Sequence, residues 1–367
     1  MQRRAYLGAL AAGMAGFAGC NGSAGGRSAT TGGTEPAAVR FRTETVTMDL
    51  EIPWGAAFDP DGVLHLTERP GRVRRVDPDD GSRAEVADFS DAIAHRGEGG
   101  LLGLAFHPDD PSLAYTYGTY ETDHGLENRV VRHDAGDDFA VETVVLDGIP
   151  AGTVHDGGRI AFGPEGALYV ATGDAGEGRR AQDPDSLAGK VLRVTPDGDP
   201  HPDNPEGGDP RVFTTGHRNP QGLAWRDGTL FSTEHGPDTD DEVNVLRAGN
   251  DYGWPEVTGP SDREAFTDPV ASYTPTVAPA SAAFYDGPID EWRGDLFFGT
   301  LAGRHLHRAR IDGESVVEDQ RLLDDEYGRL RTALVGPDDH LYVTTSNRDG
   351  RGMPAPQDDR VLRVLPA

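Results

Sequence analysis

One phrase recurs along the chain: an apolar residue, a turn built on Pro, Asp and Gly, an alternating strand, a second turn, and another strand rich in Val, Leu and Arg. Its copies are WGAAFDPDGVLHLTERPGRVRRVD, LLGLAFHPDDPSLAYTYGTY, GGRIAFGPEGALYVATGD, QGLAWRDGTLFSTEHG, SAAFYDGPIDEWRGDLFFGTLAGRHLHRARI and LRTALVGPDDHLYVTTSNRDG. The equivalent anchors Phe58, Phe106, Phe162, Trp225, Phe284 and Val335 lie 48, 56, 63, 59 and 51 residues apart. That period suits a four-stranded blade with its loops and is too long for a solenoid of short repeats. Strands of period two joined by tight turns, with helix signals almost absent, predict an all-β chain. The expected fold is a six-bladed β-propeller with four-stranded antiparallel blades, closed radially so that few edges stay free. A two-sheet sandwich would leave six matched copies without a reason. Closure needs a strand from the other terminus, and VRFRTETVTM (Val39 to Met48) alternates as a partner for the C-terminal DRVLRVLPA.

The 367 residues are ample for a core. The formal charge is −28, and among 34 Lys plus Arg the single lysine is Lys190. Acidic groups are spread through the alternating apolar segments rather than gathered in blocks, which predicts a folded protein with a high-salt, halophilic surface and not a disordered tail. Such a charge repels phosphate backbones and anionic membrane surfaces, so no nucleic-acid partner is expected. At the N-terminus, MQRRAYLGALAAGMAGFAGCNGS carries twin arginines Arg3 and Arg4, an apolar run from Ala5 to Gly19, and then the lone cysteine, Cys20. The run is short for a bilayer span, and FAGC resembles a lipobox. The reading is a twin-arginine lipoprotein signal peptide over 1–19, a flexible Gly/Ser/Thr-rich tether over 20–38, and the propeller over 39–367. It places the protein, exported and lipid-anchored through Cys20, on the extracellular face of the cell membrane. With one cysteine the folded domain has no disulfide.

In a propeller the loops leading into and out of the inner strands ring one mouth of the central channel. Residues flanking each copy therefore meet there. These flanks carry HRGEGG, HDGGR, TGDAGEGRR, TGHRNPQG, TEHGPDTDDEVN and GRLR. Turn chemistry accounts for the glycines, prolines and many aspartates, but not for the histidines and arginines. His155, just ahead of the third copy, and Asp174, just after its second strand, can pair so that the carboxylate fixes the tautomer of an imidazole base. Arg218 is a candidate for stabilising a developing oxyanion. Arg329 and Arg331 alternate onto one strand side, where they can clamp carboxylates. Singly, each has a plain reading as a loop histidine or an exposed ion pair of little energy; the joint arrangement is what points to chemistry. No phosphate-binding Gly loop precedes a helix, so no nucleotide cofactor is expected, and no Cys/His cluster has zinc spacing. HGPDTDDEVN offers carbonyls and carboxylates to calcium within one loop.

Taken together, GEGGLLGLAFHPD, HDGGRIAFGPEGALYVATGD, GKVLRV, TTGHRNPQGLAW, EHGPDTDDEVNVLRAGNDYGWP, TPTVAPA and RLRTALVGPDDHLYV resemble the soluble glucose/sorbosone dehydrogenase family, the PQQ-dependent aldose sugar dehydrogenases. The likeness runs in order from about Trp54 to the C-terminus, and GHRNPQG followed by GPxxDDExN is its specific part. It implies pyrroloquinoline quinone (PQQ) held over the central mouth, an aldose substrate and a membrane electron acceptor. On this resemblance His155 matches the base that takes the sugar C1 hydroxyl proton, Asp174 the carboxylate that orients it, and Arg218 the group at the quinone oxygen. Asn219 matches a neighbour on the cofactor, and Arg329 and Arg331 match contacts to cofactor carboxylates. The carbonyls of Gly236 and Pro237 match ligands of a calcium ion (Ca2+), while Asp241, Glu242 and Tyr252 resemble a second, structural calcium site. Glu98 stands where some members carry glutamine near the substrate. Glucose-oxidising members place a lysine on the cofactor from the TLAGRHL segment; this chain has Ala302 there, with Arg304 as the candidate replacement. The large insertions of some members are missing, which implies an open site and a monomer. The alternatives are a calcium-dependent propeller lactonase or hydrolase and a non-catalytic binding propeller.

Overall fold

The structure, a computed structural model, describes residues 39–367; the expected signal peptide, Cys20 and the tether lie outside the described residues. These residues form six four-stranded sheets, each antiparallel throughout. In chain order the blades are Pro53–Phe58, Leu64–Glu68, Arg72–Val76 and Arg83–Asp88; Leu101–Phe106, Leu113–Thr122, Gly125–Asp134 and Ala140–Pro150; and Ile160–Phe162, Leu168–Thr172, Lys190–Val194 and Val212–Thr215. The fourth and fifth are Pro220–Arg226, Thr229–Glu234, Asp241–Leu246 and Ala271–Tyr273, then Pro279–Tyr285, Asp295–Thr300, Leu306–Asp312 and Ser315–Leu322. The sixth takes Leu330–Val335, Leu341–Thr345 and Val361–Pro366 from the C-terminus and Phe41–Thr47 from the N-terminus. Phe41 pairs with Pro366 and Thr45 with Leu362, the closing strand expected from the alternation of Val39 to Met48. Among the described residues the only helical elements are two short 3₁₀ turns, Gly178–Gln182 and Asp290–Trp292.

The repeated phrase explains the radial packing. Three residues before the anchors stand Gly55, Gly103 and Gly222, where a β-carbon would lie 2.5 Å from Leu102 O, 2.3 Å from Gly158 O and 2.6 Å from Ala280 O. Glycine lets successive inner strands crowd around the channel. Where a hydroxyl is available it bonds the next blade: Thr332 Oγ1 donates to Trp54 O at 2.9 Å and Ser281 Oγ to Ala333 O at 3.2 Å. Between blades, apolar faces make wedge-shaped cores. Tyr115, Val130 and Ile149 meet Leu168, Val170 and Leu192, and Phe231 and Val243 meet Leu296, Phe298 and Ala309. The hydrophobic stabilisation is thus spread over the seams. The inner-strand ends and their entering loops are free to carry polar groups.

Candidate active site

His155 enters the third blade in a left-handed backbone conformation, φ 60°. Its Nδ1 is 2.8 Å from Asp174 Oδ1, and its side chain is 18 % exposed. Among the described residues Nε2 makes no hydrogen bond. Asp174 also accepts from Gly176 N at 2.7 Å and, through Oδ2, from the Trp254 indole at 2.8 Å. A carboxylate so held fixes the far nitrogen of the imidazole as a donor and leaves Nε2 as the acceptor. The loop behind Asp174 is tied down by the chain's one lysine: Lys190 Nζ donates to the carbonyls of Arg180, Ala181 and Ala188 at 2.9–3.0 Å. Burial pushes this ammonium down to about 8. Glu98 reaches the same point from the blade-one to blade-two loop. Its Oε2 accepts from His155 N at 2.9 Å, and its Oε1 pairs with Arg351 Nη1 at 2.9 Å. Burial pushes Glu98 up, but the His155 N–H and the charges of His235 and Arg351 outweigh it, and the carboxyl lies below its usual value.

Arg218 lies over Trp254, 5.4 Å from the ring centroid, and its Nη1 donates to the carbonyls of His235 at 3.1 Å and Gly236 at 2.6 Å. Its Nε is buried without a partner among the described residues, as is Nδ2 of Asn219, whose Oδ1 accepts from Gly157 N at 3.1 Å. Arg329 grips Asp349 Oδ2 through Nε and Nη2 at 2.9 and 2.8 Å, and Arg331 donates to Gln221 Oε1 at 3.0 Å. His155, Asp174, Arg218, Asn219, Glu98, Arg329 and Arg331 therefore come from the first, third, fourth and sixth blades and their loops to one mouth.

The calcium candidates divide. TEHGPDTDDEVN is not one loop: Asp241–Leu246 is a strand, so Asp241 and Glu242 point to opposite faces and do not face one ion together. Asp241 accepts from Gly236 N, Thr276 Oγ1, Val277 N and Ala278 N at 2.5–2.8 Å, which fixes the loop into blade five. Glu242 accepts from Gly259 N at 2.8 Å and Asn244 Nδ2 at 3.0 Å; burial and then the charge of Glu234 push it up. Tyr252 uses its hydroxyl on Val245 O at 2.6 Å. Its ring and Glu234, Glu242, Gly236 and Pro237 line one small recess beside Arg218. No group of three or more His, Cys, Asp or Glu side chains converges among the described residues. Arg304 is paired with Asp325, and the two line, together with Ala302, Arg329 and Arg351, one cavity of about 400 Å³.

Sequence reasoning missed Trp54, Gln221, Trp254 and Arg69, each at the mouth or just below it. Position could have found two of them: Trp54 and Gln221, like the expected Arg331, stand four residues before an anchor. A larger cavity, about 830 Å³, is lined by Trp225, Asp227 and Gly228. It lies at the hairpin ends of the strands, away from His155.

Comparison with known proteins gives a consistent result. The family profile described as Glucose / Sorbosone dehydrogenase matches residues 50–354. The aldose sugar dehydrogenase YliI of Escherichia coli is 32 % identical over 331 residues, 82 % of this chain and 89 % of that one. Quinoprotein glucose dehydrogenase B of Acinetobacter calcoaceticus is 33 % identical over 261 residues, 62 % of this chain and 55 % of that one. Among solved structures, the PQQ-bound form of the aldose sugar dehydrogenase of Streptomyces coelicolor superposes with a TM-score of 0.81 at 40 % identity, covering 89 % of this chain and 98 % of that one.

Proposed function

The chain belongs to the glucose/sorbosone dehydrogenase family, and on that premise we propose that it oxidises the C1 hydroxyl of an aldose to a lactone, with His155 as the base. The observation that carries this reading is the His155–Asp174 pair, whose free Nε2 stands at the mouth beside Arg218 and Asn219. In it Nε2 takes the C1 hydroxyl proton while Asp174 holds Nδ1–H and stabilises the imidazolium. Arg218, stacked on Trp254, carries positive charge at the place where an oxyanion would develop.

The residues fit PQQ: Arg218 Nε and Asn219 Nδ2 are buried donors without acceptors, and an acceptor-rich ligand satisfies them. Arg329 and Arg331 would hold its carboxylates. The buried Glu234 and Glu242 side chains repel one another, which fits a Ca2+ ion in their recess with Tyr252; Gly236 and Pro237 line the same recess, and the Gly236 carbonyl accepts from Arg218. When bound, the quinone supplies the hydride acceptor and calcium polarises it. The aldose is the substrate and a membrane electron acceptor takes the electrons onward. The N-terminal residues support export as a lipoprotein anchored through Cys20, and the charge of −28 supports a brine-facing surface.

Titration of the purified protein with PQQ, in molar salt with calcium, followed by a panel of aldoses, tests the function through the quinone absorbance. Tight binding and bleaching by sugar is the expected result, and absence of binding would overturn the reading. Deleting residues 1–19 with Cys20→Ser should release the protein into the medium; retention in the membrane fraction would count against the anchor.

A further inference from the structure

A chain of charged contacts runs from the sixth blade to the backbone of His155. It starts at Arg329, whose Nε and Nη2 hold Asp349 Oδ2 at 2.9 and 2.8 Å. The other oxygen of Asp349 accepts from Arg351 N at 2.9 Å and so sets where the Arg351 side chain leaves the loop. Gly352 lets that loop lie close on the blade, since a β-carbon there would stand 2.5 Å from Asn347 O and 2.9 Å from Arg329 Cδ. Arg351 Nη1 then reaches Glu98 Oε1 at 2.9 Å, and Glu98 Oε2 accepts from His155 N at 2.9 Å.

The plain reading of Arg351 and Glu98 is a surface ion pair of little energy. Arg351, 60 % exposed, agrees with it; Glu98, 19 % exposed, does not. The second oxygen of Glu98 is spent on a residue at φ 60°, a backbone conformation that a side chain other than glycine keeps only where its surroundings hold it. Other contacts brace the same turn: Glu98 N donates to Thr153 O at 3.0 Å, and Ala175 N to His155 O at 3.1 Å. A carboxylate bound through one oxygen can swing about that bond. Bound through both, it has one orientation, and Arg351 supplies the second anchor.

We propose that Arg351 is a positioning residue for the base: by holding Glu98 it fixes the backbone of His155, and with it the line along which Nε2 meets the substrate. The proposal rests on the dehydrogenase reading for the reaction served, while the placing of His155 can be read without turnover. Arg351→Gln should lower kcat about tenfold, with KM for the aldose and the PQQ titration midpoint changed by less than about twofold. Its thermal unfolding midpoint should stay at the parent's, as for other exposed pairs. Arg351→Lys keeps a cationic donor and should recover most of the turnover. In a Glu98→Gln background, Arg351→Gln should cost little more, because the pair is already broken. Arg96→Gln removes an ion pair of the same loop, 57 and 60 % exposed at its two ends, and should leave rates and stability unchanged.

A readout that needs neither sugar nor quinone is the proton NMR signal of His155 Nδ1–H on Asp174, identified by its loss in His155→Ala. It should shift or broaden in Arg351→Gln and return in Arg351→Lys. Unchanged turnover, full additivity with Glu98→Gln, or an unmoved imidazole signal would overturn the assignment. So would an unfolding midpoint that falls in step with turnover, which would make Arg351 a structural prop. A parent that binds no quinone and oxidises no sugar defeats the dehydrogenase reading, and the imidazole signal then still decides whether Arg351 places His155.

Discussion

Blades three and four carry the same device with opposite fates. In each, a histidine precedes the inner strand and a carboxylate ends or follows the second strand: His155 with Asp174, His217 with Glu234. The Nδ1-to-oxygen distance is 2.8 Å in both. The difference lies at the other nitrogen. His217 is fully buried, stacked 4.8 Å from Tyr252, and its Nε2 meets Thr214 Oγ1 at 2.9 Å. His155 turns an unbonded Nε2 to the mouth. A histidine–carboxylate pair is therefore no mark of a catalytic base by itself; what decides is whether the second nitrogen is left an open acceptor.

The comparison breaks most sharply at the base. His155→Ala should lower turnover by about 10²–10⁴-fold, the usual worth of general base catalysis, with the PQQ titration midpoint unchanged. Equal loss of binding and turnover would make His155 a structural residue like His217. Next in size, Asp174→Ala should reduce turnover by at least about tenfold, because the imidazole loses its fixed tautomer. It also frees the Trp254 indole, so an indole emission shift in the same variant separates positioning from collapse of the loop. His217→Ala should do the reverse. It leaves the Glu234 side chain buried with Arg218 N as its remaining partner, and should lower unfolding free energy by about 1–3 kcal/mol while each folded molecule keeps most of its turnover. Denaturant unfolding alongside initial rates tests both halves.

The fold was legible because the repeat writes it six times; even the closing strand could be read from its alternation. His155, Asp174 and Arg218 were legible because they flank the copies. Trp54 and Gln221 were not, since they are brought to the channel only by radial closure and neither neighbours the other in sequence. Asp241 and Glu242 show the opposite fault. Their adjacency resembles a shared ligand set while the segment is taken as a loop, but once it is a strand, period two drives them apart.

The smallest expected effect concerns the residue after each histidine, Asp156 in blade three and Arg218 in blade four. Asp156 is buried, accepts from Gly152 N at 3.0 Å and Asn128 Nδ2 at 3.3 Å, and leaves Oδ2 without a partner. Burial pushes its carboxyl up to about 7. The folded chain then keeps a proton that the unfolded chain surrenders near the ordinary value of 3.8, so the folded state binds more protons between the two values. Stability must fall as pH rises across that window, and the full penalty persists above it. Asp156→Asn, neutral throughout, should remove this slope and be more stable than the parent at pH 8, with the advantage fading toward pH 4. Unfolding curves at both pH values check the sign. Parallel curves for parent and variant would mean that Asp156 is ionised in the fold. Blade three would then hold a buried anion beside its base, where blade four holds a cation, and the two blades would differ in charge as well as in the exposure of Nε2.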